Sequence, residues 1–294
     1  MLRAFRLCAA VLIPLIAASC DPLPPPEHDE SESAGQKEQN LMRLANGTRA
    51  AGDYSTAAEL YRQAAAISGD DITPHLALAS LYRQMRQPQA AVAVLQDARK
   101  LQPQNTEVLL ALGAALVASG EPAQALPLYT QAAERAPDNP QAYNGQGVAL
   151  DSLNRHDEAQ NAYREAIAHG GDTPAVRNNL ALSLVLSGEY DEAIAILKKL
   201  VASSTATATM RQNLALAYGL SGDRGKALSM GLRDLPPEQA RENLKFYSYY
   251  RGARGREEPE KSKRHGEPTA VLQQEEPTEA AAPVTPVELS PPAP

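Results

Sequence analysis

Tryptophan is absent from this chain and phenylalanine occurs only twice, so aromatic residues make up 4% of its 294 positions. A globular core built on aromatics is therefore not expected. Positive charge is also short. The formal net charge is −7, and setting aside residues 1–19, which hold Arg3 and Arg6 and no acid, makes it −9. An acidic chain argues against nucleic acid or anionic lipid as the main partner. No HExxH, CxxC, GxSxG or glycine-rich phosphate loop occurs. The five histidines (His28, His75, His156, His169 and His265) are scattered along the chain. No enzyme activity, cofactor or metal is expected.

What is abundant is alanine, and it recurs in register. Residues 106–139 read as two helices and a turn. Leu109, Leu112, Gly113 and Leu116 fall at helical spacing, Gly120-Glu121-Pro122 breaks the helix, and Ala125, Leu128, Tyr129 and Ala132 share a face before Pro137. Stepping 34 residues places unit starts at Glu38, Ile72, Thr106, Pro140, Pro174 and Ala208 without insertions. Position 20 of the unit is alanine six times in six: Ala57, Ala91, Ala125, Ala159, Ala193 and Ala227. Position 8 is always small, and position 7 is leucine except at Gln146. Two helices that pack closely need small residues at the contact and larger ones around it. The period and the small/large pattern resemble the tetratricopeptide repeat. Arg86 and Asn154 stand where a turn glycine is usual, and Gly69 and Gly171 where proline is common.

The expected fold is an all-α tetratricopeptide-repeat solenoid with five full repeats, a partial sixth that decays at Gly231 and Asp234, and a C-terminal capping helix. The cap spans 238–250, with Ala240, Leu244 and Tyr247 on one side. Phe246, Tyr247, Tyr249 and Tyr250 crowd four aromatics into five residues. They read as packing of the cap or as an exposed docking patch.

Outside residues 38–251 the composition changes. Arg3 and Arg6 precede an apolar run from Leu7 to Ile16, too short to span a bilayer and suited to a signal-peptide core over 1–19. Ala17-Ala18-Ser19-Cys20 resembles a bacterial lipobox, with Cys20 as the lipid attachment; an ordinary signal peptide cut at the same place also fits. Cys20 would be the only cysteine of the mature chain, and acylation would consume its thiol. Residues 20–37 read as a lipidated cysteine and a Pro-rich acidic tether. Residues 252–294, with eight prolines, read as a disordered tail.

Binding is the remaining function class. In such arrays positions 2, 5, 6, 9 and 12 of each first helix line the groove. The expected partner-binding residues are Gln141, Asn144, Asn178, Asn179, Gln212 and Asn213, flanked by Arg177 and Arg211. Amides both donate and accept, so they suit an extended peptide or a helix. No clear cluster of Lys or Arg stands among these groove positions.

The stretch from Asn213 to Tyr250 carries NLALAYGLSGD and then RDLPPEQARENL with clustered aromatics. It resembles the C-terminal end of the TadD family, the tetratricopeptide-repeat lipoproteins of the tight-adherence (Flp pilus) assembly system. That resemblance implies a periplasm-facing lipoprotein acting as assembly factor or pilotin, with an outer-membrane secretin and other pilus-assembly proteins as partners. The outer membrane is expected, although Asp21 leaves the inner membrane open. A general envelope scaffold, serving outer-membrane protein insertion or cell-wall synthesis, would share the same anchor and repeats. An accessory role presenting substrates to a separate enzyme would share them too.

Overall fold

The computed structural model describes residues 33–254 of the chain. The expected signal peptide, Cys20, most of the tether and the tail beyond Arg254 lie outside the described residues. Among those described, thirteen α-helices and no strands are present. They run as consecutive pairs: α1 (Ala34–Ala50) and α2 (Tyr54–Ile67), α3 (Thr73–Gln84) and α4 (Pro88–Leu101), α5 (Thr106–Ala118) and α6 (Pro122–Arg135), α7 (Pro140–Ser152) and α8 (His156–Ala168), α9 (Pro174–Ser187) and α10 (Tyr190–Val201), α11 (Ala208–Ser221) and α12 (Arg224–Gly231). A last helix, α13 (Pro237–Arg254), closes the order. The chain is the expected all-α repeat solenoid. Its first helix starts earlier than Glu38, capped by the Ser33 hydroxyl, which accepts from the Gln36 N–H.

Each unit turns by the same local chemistry, and all but the second, where Ile72 precedes α3, also start alike. The residue before the first helix offers a side-chain oxygen to an unpaired helix N–H. Asn105, Asn139, Thr173 and Thr207 do so for α5, α7, α9 and α11. Between the two helices of each repeat one residue takes a left-handed backbone. These residues are Gly52, Arg86, Gly120, Asn154, Gly188 and Gly222, all with positive φ and all spaced by one repeat. Arg86 and Asn154 adopt that conformation despite their Cβ atoms, at φ 55° and 59°.

Small residues set the helix spacing. All six position-20 alanines are buried. The Tyr129 ring lies where a Cβ on either Gly113 or Gly145 would fall, and the Tyr163 ring does the same at Gly147. Gly145 and Gly147 are thus close-packing glycines inside α7.

The sixth repeat is cut short. Its second helix has 8 residues, against 14 in α6. The cap then packs on α11: Ala240 and Leu244 are buried, and Tyr247 occupies the space a Cβ on Gly219 would need. Further along, the Arg251 guanidinium lies beside Gly222. The contacts advance in the same sense on both helices, so α13 runs parallel to α11. Among the described residues no helix is long and apolar enough to cross a membrane.

Candidate functional site

The face of the first helices that carries unit positions 5, 6, 9 and 12 differs along the array. On α3 these positions are Leu76, Ala77, Ser80 and Arg83, and on α5 they are Leu110, Ala111, Ala114 and Val117; all eight are half-exposed. On α9 the same positions are Asn178, Asn179, Leu182 and Val185, and each is 0% exposed. On α7 and α11 they are again buried, apart from half-exposed Gln212. Side-chain size explains the change. Val148, Leu182, Val185 and Leu216 are large enough to cover one another between neighbouring helices. Ala77, Ser80, Ala111 and Ala114 are not, and they leave a shallow open row.

The amides expected to face a ligand are therefore turned to another use. Asn179 Nδ2 donates to Asn144 Oδ1 at 3.3 Å, and Asn213 Nδ2 donates to Asn178 Oδ1 at 3.0 Å. Asn144, Asn178, Asn179 and Asn213 are all buried. They form rungs between consecutive repeats, each satisfying a polar group that burial would otherwise leave costly. The flanking arginines are also engaged. Arg177 chelates Asp172 just ahead of α9, and Arg211 holds Asp234 in the link to α13 through bonds of 2.8 and 2.5 Å. Only Gln141 is fully at the surface, and Gln212 reaches Asp234 at 3.5 Å. The binding row placed on repeats four to six is a structural seam there.

The aromatic cluster separates by helix phase. Tyr247 is buried, and burial pushes its hydroxyl up to about 12. Phe246 and Tyr250 are half-buried and stacked at 6.1 Å between ring centroids, against the same core. Tyr249 alone stands out, 62% exposed. Four aromatics do not make a patch; three belong to the cap.

A second internal network was not legible in the sequence. The Asp151 carboxylate, at position 12 of α7, accepts from Tyr163 Oη at 2.9 Å and from Ser183 Oγ at 2.7 Å. His156 Nδ1 lies 2.8 Å from its Oδ1. Burial pushes the Asp151 carboxyl up, while hydrogen bonds from His156, Ser183 and Tyr163 pull it back. This cluster has an acid, a histidine and a hydroxyl, but Ser183 bonds the carboxylate and not the imidazole. It joins repeat four to α9 as a polar clasp. Among the described residues no group of three His, Cys, Asp or Glu is placed to hold a metal.

The open row keeps both an apolar floor and charge. Met42, Leu76, Leu110 and Val117 are half-buried along it. Arg43 is exposed at position 6 of α1, and half-exposed Arg49 and Arg83 sit at position 12 of α1 and α3. Glu38 and Glu107 lie at the opposite, N-terminal ends of α1 and α5. These cations are spread over two helices and form no run that the spacing of a single helix registers.

Family models described as tetratricopeptide repeat match residues 49–116, 82–148 and 146–207. The chain belongs to the tetratricopeptide repeat family. Its repeats are a protein-interaction scaffold. Similar solved structures share the fold. A tetratricopeptide repeat protein of Parabacteroides merdae superposes with a TM-score of 0.62 at 18% identity, over 75% of this chain and 90% of that one. PilF of Pseudomonas aeruginosa does so with a TM-score of 0.55 at 19% identity, over 68% and 91%. A thermophilic tetratricopeptide repeat protein of Thermus thermophilus gives 0.51 at 25% identity, over 61% and 98%. No curated protein matches the sequence significantly.

Proposed function

We propose that this tetratricopeptide repeat protein is a non-catalytic, lipid-anchored assembly factor of the Flp (tight-adherence) pilus machine. It is anchored through Cys20, faces the periplasm at the outer membrane, and holds a segment of the secretin or of another pilus-assembly protein. The supporting observation for binding is the half-exposed row Leu76–Ala77–Ser80 and Leu110–Ala111–Ala114–Val117, left open where repeats four to six close the same positions. A floor of small and branched apolar residues between parallel helices suits one extended or helical segment laid across them. The pilus assignment leans on the run from Asn213 to Tyr250, which builds α11, α12 and the cap.

The test is crosslinking and recovery from native envelope with wild type, Cys20→Ser and Leu110→Glu. Wild type is expected to bring down a secretin or a neighbouring pilus subunit. Cys20→Ser should lose it through loss of the anchor, and Leu110→Glu through a charge in the apolar floor. Recovery of cell-wall synthesis proteins alone would overturn the pilus reading, and full recovery with Leu110→Glu would overturn the binding row.

A further inference from the structure

The open row has a candidate occupant within the same chain. We infer that the acidic C-terminal segment from Glu275 to Leu289 folds back and occupies the row on α1, α3 and α5, so that a partner must displace it. The inference rests on that row being the binding surface, and adds its resting occupant.

Three observations carry it. The first is charge. The row holds Arg43, midway along α1 and bonded to Asn40, and Arg49 and Arg83 in the last turns of α1 and α3. Residues 270–294 hold Glu275, Glu276, Glu279 and Glu288 and no Lys, Arg or His. The second is side-chain chemistry. Val284, Val287 and Leu289 supply small and branched apolar groups for the floor formed by Leu76, Ala111, Ala114 and Val117, and Pro283 and Pro286 favour an extended course that crosses helices. A row only a few side chains deep accepts such a strand more readily than a bulky helix.

The third is where the chain leaves the fold. α13 runs parallel to α11, and its C-terminal end reaches the C-terminal end of α11, where Arg251 meets Gly222. The first helices repeat in one orientation, so the tail departs from the edge of the array that also carries Arg49 and Arg83. Neighbouring helices pack about 8–10 Å apart, so α13 to α5 is on the order of 40 Å. The 20 residues from 255 to 274 can span up to about 65 Å when extended. A tether of that length holds the segment near the row at roughly millimolar effective concentration, which makes even a weak contact populated.

The decisive experiment uses the full chain, purified and dilute, with a photo-crosslinking amino acid (p-benzoylphenylalanine) in place of Leu110, and in a control in place of Gln131, exposed on α6. Trypsin releases His265–Pro294 as one peptide, so the tail is read directly by mass spectrometry. Irradiation is expected to join residue 110 to that peptide within one chain, at least about fivefold more than residue 131 does. Adding Arg43→Glu and Arg83→Glu should reduce the yield by a similar factor while circular dichroism stays helical. Equal yields from both positions, no loss on charge reversal, or crosslinks only between two chains would each overturn the inference. None of those outcomes touches the envelope recovery experiment, which reads a foreign partner.

Discussion

Repeats one to three and repeats four to six share a period, a turn and a set of buried alanines, yet they are held together differently. From Val148 to Tyr247 one continuous core joins α7 through α13. Ahead of it the apolar residues divide into separate clusters, one around Tyr61 and Leu81 and another around Leu112 and Tyr129. The open part leaves positions 5, 6, 9 and 12 half-exposed or exposed, while the closed part fills them with amide rungs, Val, Leu and the Asp151 clasp. One repeat architecture thus yields a firm base beside the cap and a receptive surface at the other end. The lesson is about neighbours. In a solenoid each unit is stabilised by its own packing and by its interface with the next, so a few larger side chains at one phase decide whether that face is a seam or a site.

The largest effect should come from cutting the clasp. Asp151→Ala leaves the buried Tyr163 Oη without its acceptor and Ser183 Oγ with only the longer bond, 3.3 Å, to the His156 carbonyl. Orphaning buried donors costs about 1–3 kcal/mol each, so a loss of about 3 kcal/mol in urea denaturation is expected. Leu110→Glu, placed on the open row, should change stability by less than about 1 kcal/mol. Equal costs at the two sites would erase the distinction between seam and surface.

Next is the glycine contrast. A Cβ at Gly145 would collide with the Tyr129 ring, whereas nothing lies within 4 Å of one at Gly47 in α1. Gly145→Ala should destabilise by about 2 kcal/mol, because overpacking outweighs the gain in helix propensity. Gly47→Ala should stabilise by roughly 0.5–1 kcal/mol, because only the propensity term acts there. Thermal unfolding of the two variants should move in opposite directions.

Much of this was legible in the sequence. The period, the alanines at position 20, the turn role of Arg86 and Asn154 and the small residue at Gly147 all follow from one repeat's local chemistry. The phase of the cap was legible too: Ala240, Leu244 and Tyr247 share a side and are buried together. What could not be read is set between repeats. Whether Asn179 meets solvent depends on Asn144, one unit before it, to which its amide donates. The single-helix pattern of polar residues at positions 5 and 6 looks the same for an exposed ladder and for a buried one. Arg177 and Arg211 flank the amides in the sequence, but their partners Asp172 and Asp234 lie in links that helical spacing does not register.

Acidity offers a probe of the clasp in the closed part. Burial raises the Asp151 carboxyl above its ordinary value, so between the unfolded value, about 3.9, and the raised folded one the native state binds more protons than the unfolded state. Stability from this group is full below the unfolded value and is lost as pH rises through the folded one. The stability of wild type minus that of Asp151→Asn should therefore fall across this window and then level off. The same difference measured between wild type and Ala111→Ser, on the open row, should show no step there. A rise through the window would mean that the hydrogen bonds from His156, Ser183 and Tyr163 outweigh burial.

The smallest effect tests the turn row, where the two parts should behave alike. Arg86 and Asn154 hold a left-handed backbone at a position that is glycine in the other four units. The Cβ of an ordinary residue costs roughly 1 kcal/mol there, and asparagine, whose short amide suits this conformation, costs less. Glycine removes that strain but adds freedom to the unfolded chain, which offsets part of the gain. Arg86→Gly should therefore stabilise the open part by about 0.5 kcal/mol, and Asn154→Gly the closed part by a few tenths at most. Matched denaturation curves resolve the two. A loss at Arg86 would mean that the contacts its side chain makes exceed the strain of its backbone, and the turn would then count among the features that set the open half apart.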